Sequence, residues 1–152
     1  MRAEKDGDCY FFQGVIKGMT PRAGKTPDRV TFEVSEEDAK QLREWIRPIY
    51  ADTDEQYIPA WIKSNKSKRI LATSNQDIFI TIEEKNEMFD NVADLMEYHG
   101  IVDDSTVIAT IEPRKYRDGR VTIILRDIAF IDLVELHLER FFDPEFENLE
   151  VN

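Results

Sequence analysis

The chain has one cysteine, two histidines and no long apolar run. With Cys9 alone, no internal disulfide can form. That suits a reducing compartment, and a cytoplasmic location is expected. No stretch approaches the roughly 20 apolar residues of a membrane span, so no membrane partner is expected. The opening MRAEKDGD lacks the apolar core of a secretory signal. His99 and His137 stand alone, without an HExxH pattern or a cysteine at metal-ligand spacing. Gly14-Val15-Ile16-Lys17-Gly18 lacks the pattern of a phosphate-binding loop. Cys9 sits in an apolar stretch with no base beside it, which reads as a buried or half-buried thiol rather than a nucleophile. These absences disfavour an enzyme and imply no cofactor. No internal repeat or low-complexity linker is visible.

Basic charge is also scarce, and it is unevenly placed. The net charge is −11 over 152 residues, a length that allows one domain with a core. From Asp132 to Asn152 seven acids face one base, Arg140. Three stretches run against this trend. The first holds Lys17, Arg22, Lys25 and Arg29. The second holds Lys63, Lys66, Lys68 and Arg69. The third holds Arg114, Lys115, Arg117 and Arg120. The pattern is a body with basic loops and an acidic C-terminal end. We read residues 1–133 as one domain and 134–152 as an acidic segment.

Local patterns outline the elements. CYFFQGVIK (9–17) is aromatic and β-branched, a first strand. The Gly, Pro and Thr of GMTPRAGKTPD make a loop, and RVTFEV (29–34) alternates as a second strand. Ser35 offers an N-cap with Glu36, Glu37 and Asp38 in the first turn. Leu42, Trp45, Ile46 and Ile49 then follow at helical spacing, predicting a helix over 36–47 that ends near Pro48. Residues 51–67 read as a polar loop. Strands are expected at 69–73 and 78–82, as a pair joined near Ser74-Asn75-Gln76. Residues 87–98 read as a helix closed by Gly100.

Ser105 to Leu133 is the most telling stretch, two β-branched runs around PRKYRDG, a long β-hairpin with a cationic tip. Its second run changes phase at Arg126-Asp127. One extra residue there, a β-bulge, restores a continuous inward face. Bulges let strands coil, as small closed barrels require. About six strands and one or two helices predict a mainly β chain, a small, partly open barrel of the oligonucleotide-binding (OB) type. A sandwich or an α+β sheet also fits the count.

Aromatic residues stand near each basic stretch. Single-strand binders combine a positive groove with aromatics on which bases stack. Tyr10 and Phe12 share one face of their strand, with Phe11 on the other. Phe11, Phe32, Trp45, Phe89 and Phe130 lie on apolar periodicities and are expected in the core. Tyr10, Phe12, Trp61 and Tyr116 are then expected at a nucleic-acid surface, together with the twelve cations named above.

In layout the chain resembles the single-stranded DNA-binding proteins of bacteriophages. FFQGVIKGMTPRAGKTPDRVTFEV is similar to their first hairpin and helix, STVIATIEPRKYRDGRVTIILRDIAFIDL to their closing hairpin, and FFDPEFENLEVN to their acidic tail. The resemblance implies a single OB domain that coats single-stranded DNA during DNA replication or recombination, without catalysis, in the host cytoplasm. It also implies that Asp143, Glu145, Phe146, Glu147 and Glu150 dock replication or recombination proteins. The end departs from the family in being short and in carrying Phe141, Phe142, Phe146 and Leu149, residues able to seal a core or a homodimer contact. Two other classes stay open. One is an acidic interaction module, such as a DNA mimic that inhibits a host enzyme. The other is an enzyme with a carboxylate metal site near Asp103, Asp104 and Asp127.

Overall fold

The computed structural model describes residues 1–137. It is mainly β, with eight strands and three α-helices among the described residues. The strands are β1 (Glu4–Asp6), β2 (Cys9–Thr20), β3 (Asp28–Glu33), β4 (Arg69–Ser74), β5 (Phe79–Ile82), β6 (Glu87–Phe89), β7 (Thr106–Lys115) and β8 (Val121–Asp132). The helices are α1 (Glu36–Ile46), α2 (Ala60–Lys63) and α3 (Val92–His99). No helix among the described residues is long and apolar enough to cross a membrane.

Five strands close a ring in the order β2-β3-β4-β8-β7 and back to β2. All pairings in it are antiparallel except β4 with β8, a single parallel bridge from Thr73 to Ile124. The result is a small OB-like β fold, as expected. Strand alternation fills the ring, with Phe12, Ile16, Val30, Phe32, Ile70, Ala72, Val107, Ala109, Ile111 and Leu125 inside it. α1 adds Leu42 and Ile46 to that core. Ser35 caps α1 as expected, its Oγ accepting from the Asp38 N–H at 3.1 Å.

Three details of the sequence reading change. The predicted β4–β5 hairpin does not form. Both strands instead run parallel to β8, β4 beside its first half and β5 beside its second. Gln76 donates its N–H to the Ser74 Oγ, part of the turn that turns the chain away from pairing. The predicted helix over 87–98 begins only at Val92. Residues 87–89 form β6, because Asn91 caps the helix by accepting from the Asp94 N–H at 2.8 Å. The predicted loop 51–67 contains α2, so the helices number three rather than one or two.

The expected bulge is present. Thr110 faces Asp127 and Ile111 faces Leu125, which leaves Arg126 as the extra residue. A second bulge leaves Lys17 unpaired between Ile16 and Gly18. A third irregularity lies between Thr106 and Val107.

Residues 134–137, assigned to the acidic segment, are tied to the domain. Val134 and Ser105 exchange hydrogen bonds through the serine Oγ. Leu136 pairs with Ile101 in both directions at 2.8 Å. Buried His99 reaches Glu135 with Nδ1 and Glu87 with Nε2. Burial raises the Glu135 carboxyl, but hydrogen bonds from His99 and His137 outweigh it and hold it below the ordinary glutamate value. Gly100 makes this strap possible. Its φ is +71°, and a Cβ there would stand 2.3 Å from the Leu136 carbonyl oxygen. Gly100→Ala is therefore expected to destabilise the domain by about 1–3 kcal/mol. Urea titration of parent and variant checks this, and equal midpoints would refute it.

Candidate nucleic-acid interface

The outer face of β3 has charged ends around a threonine, and that of β4 has one charged end followed by uncharged residues. Arg29, Thr31 and Glu33 point outward on β3, and Arg69, Leu71 and Thr73 on β4. Thr31 lies opposite Leu71, and Arg29 opposite Thr73. Thr122 of β8 continues the row, its Oγ1 3.4 Å from that of Thr73. Thr31, Arg69, Leu71, Thr73 and Thr122 floor a groove of about 470 Å³, mostly apolar, with Val121 and Ile123 on one side and Pro59, Ala60 and Trp61 of the α2 region on the other. In OB folds the second and third ring strands and the loops beside them form the ligand face. Here those strands are β3 and β4.

Two arginines, buried Arg43 and exposed Arg47, hold the groove's wall in place. Arg43 of α1 donates to the carbonyls of Ser67 at 2.6 Å and Asn65 at 3.1 Å. Arg47 donates to the carbonyls of Ile62 and Ser64 and to the Asn65 side chain. Burial lowers the Arg43 pKa, with Arg47 adding to the effect. Tyr50 OH donates to the Thr122 carbonyl and links this wall to β8. Helical spacing marks Arg43 and Arg47 only as surface charges, so the sequence hides their role. Thr31, Leu71, Thr73 and Thr122 also escape the sequence reading. They do leave a signal: RVTFE and RILAT each place uncharged residues beside a charged arginine on one strand face.

The aromatic assignments need correction. Tyr10 and Phe12, expected at the surface, are 2% and 0% exposed. Phe11, expected in the core, is half-buried on the outer face. Alternation forces one phase inward, and Tyr10 and Phe12 find partners there. Tyr10 stacks on half-buried Trp45 at 5.8 Å, and Phe12 meets Phe32 edge-on at 5.4 Å. Trp61 is 6% exposed, not an open stacking platform, because α2 turns its indole inward. Phe32, Phe89 and Phe130 are buried as expected. Tyr116 stays exposed at the hairpin tip, with the Arg120 guanidinium 5.1 Å above one ring face.

The cations divide into two sets. Several are neutralised within the fold. Arg22 clasps buried Asp28 and reaches the carbonyls of Asn75 and Gln76, which anchors the β2–β3 loop. Lys17 pairs with Asp104 at 2.9 Å, a hydrogen bond that pushes its ammonium pKa up. Arg114 binds Glu112 at 2.6 Å and Arg120 binds Asp118 at 2.6 Å. Arg69 stands 3.5 Å from Glu33 on the exposed face. The second set forms no ion pair among the described residues: Lys25, Arg29, Lys63, Lys66, Lys68, Lys115 and Arg117, all exposed. Arg29 neighbours Thr73 of the groove floor, Lys68 lies between groove residues Ser67 and Arg69, and Lys115 pairs with Val121 on the rim.

No group of three or more His, Cys, Asp or Glu among the described residues is arranged to hold a metal. Asp103 and Asp104 do not converge with Asp127. Asp104 is taken by Lys17, and Asp127 has its pKa raised by burial on β8. Burial, with Glu112 next, raises the Cys9 thiol. The proposed docking residues Asp143, Glu145, Phe146, Glu147 and Glu150 lie outside the described residues. Compared with known proteins, the chain matches no family model, no curated protein and no solved structure.

Glu112 also secures the bulge, accepting from Arg126 at 3.0 Å and from Arg114. Burial raises its carboxyl, but the two arginines outweigh that and leave it below the ordinary value. A depressed carboxyl contributes stability that is present above its unfolded value and lost as pH falls through the folded one. Glu112→Gln is expected to lower the melting temperature at pH 7, and the gap to the parent is expected to narrow as pH falls below the ordinary glutamate value and through the lower folded one. A gap that stays constant down to the acid unfolding transition would contradict this assignment.

Proposed function

We propose that the groove over β3, β4 and β8 binds single-stranded DNA without sequence readout, as a non-catalytic protein of DNA replication or recombination. One observation carries the reading. A mostly apolar groove lies on the ligand face of an OB-like ring and is bordered by exposed cations with no carboxylate partner among the described residues. The apolar floor takes bases, and Arg29, Lys68, Lys115, Lys25 and Arg117 take phosphates. The resemblance to bacteriophage single-stranded DNA-binding proteins points the same way, since it rests on the hairpins that build this face.

Phosphate contacts release counterions, so binding falls as salt rises. Oligo-dT is expected to bind more tightly than duplex of equal length in the same buffer. Changing Arg29, Lys68 or Lys115 to Ala is expected to weaken binding to all strands alike. Each such change is also expected to flatten the salt slope by about one unit, because one fewer phosphate is neutralised. Fluorescence anisotropy over a salt series reads both effects. Equal or tighter duplex binding would overturn the proposal.

Tyr116 keeps one ring face clear of Arg120. Tyr116→Ala is expected to weaken oligo-dT binding by roughly 1–3 kcal/mol if a base stacks on that face, with no change in melting temperature. Unaltered affinity would remove the hairpin tip from the stacking surface.

A further inference from the structure

Trp61 combines three features. It lines the groove, it is 94% buried, and its Nε1–H has no hydrogen-bond partner among the described residues. Buried indoles almost always find an acceptor, and an unmet buried donor costs stability. The adjoining wall residues Pro59 and Ala60 present apolar side chains. On the floor, the Thr73 and Thr122 hydroxyls already face each other. The groove wall therefore holds a buried donor without an acceptor among the described residues.

Resting on the reading of this groove as a single-strand site, we propose that the Trp61 Nε1–H donates to a carbonyl oxygen of a base seated there. The groove still takes any strand, and at this one position it favours thymine over adenine. The indole nitrogen is donor-only, so it selects an acceptor. Thymine presents its O4 oxygen beside a methyl group, whereas adenine presents an amino donor at the matching edge position, carries no carbonyl and accepts only through ring nitrogens. The methyl meets apolar surface such as Leu71 and Ile123. The wall is fastened by more hydrogen bonds at one end than at the other. The segment after α2 is clasped by Arg43 and Arg47, whereas Pro59 at its start makes no side-chain cap. The backbone of residues 53–58 bonds only to near neighbours in sequence, Thr53 to Tyr50, Tyr57 to Asp54 and Ile58 to Glu55, while the Ile58 side chain packs on the core. A tilt of α2 about its clasped end brings Nε1–H to the base.

The test uses the full chain carrying Trp45→Phe, which leaves Trp61 as the only indole and keeps a ring against Tyr10. The indole N–H resonance is followed by two-dimensional NMR during titration with oligo-dT and with oligo-dA. A downfield shift with oligo-dT that oligo-dA does not reproduce is expected. In binding assays Trp61→Phe is expected to lower oligo-dT affinity roughly three- to ten-fold more than oligo-dA affinity, the worth of one hydrogen bond. An indole resonance unmoved at saturating oligo-dT overturns the proposal, and that measurement decides alone if Trp61→Phe does not fold. Equal binding of both strands by the parent overturns the thymine preference while leaving single-strand binding intact. Binding of neither strand overturns both readings.

Discussion

The fold depends on β8 and on the one residue in it that fits no ladder. β8 pairs with β7 along nearly its whole length, with β4 through Ile124 and with β5 from Asp127 to Phe130. The exchange of neighbours happens where Arg126 bulges out. A strand of uniform phase would carry Ile128 and Phe130 to the outer face if Ile123 and Leu125 stayed inside. The bulge resets the phase and adds twist, so the same strand closes the ring and then starts a second sheet segment. An extra residue leaves its side chain without a ladder position. Arg126 finds one by binding Glu112 on β7. Lys17, the bulged residue of β2, is held the same way by Asp104. Both distortions are therefore fixed by a cation on the bulge and a carboxylate on a neighbouring element.

This use of charge explains how an acidic protein can keep a basic face. Arg22, Arg114, Arg126 and Lys17 serve the fold, and their carboxylate partners are occupied with them. What remains around the groove is a smaller set of cations that no carboxylate among the described residues cancels. Screening limits repulsion from distant acids, because at physiological salt a charge acts over about 8 Å. A strand lying in the groove responds to Arg29 and Lys68 more than to acids farther away. Net charge therefore argues little against the proposal, and placement argues more.

How much of this is legible in the sequence varies by element. α1, the β7–β8 hairpin and the Arg126 bulge are readable, because each rests on local signals: a Ser cap, alternation, a phase slip. The parallel placement of β4 and β5 against β8 is not readable, because partner choice depends on residues about fifty positions away in sequence. The aromatic faces of β2 come out inverted for a related reason. Alternation shows that Tyr10 and Phe12 share a face but not which face is inside. That depends on Trp45 and Phe32 arriving from α1 and β3. Trp61 is misplaced because a four-residue helix carries too little pattern to be seen, and the arginines that clasp its far end lie on another helix.

The corrected positions change how the proposed binding would work. With Tyr10, Phe12 and Trp61 enclosed, few rings remain for bases to stack on. Stacking then contributes less than in a groove lined with open aromatics, and phosphate contacts carry more of the affinity. A surface of this kind binds any sequence, releases it readily as salt rises, and discriminates only where a base reaches a directional group. Among the groove residues, threonine hydroxyls can donate or accept and so distinguish little. The enclosed indole N–H and the Arg69 guanidinium can only donate, and of the two the indole is uncharged, so its contact with a base edge depends on the acceptor it meets rather than on phosphate charge.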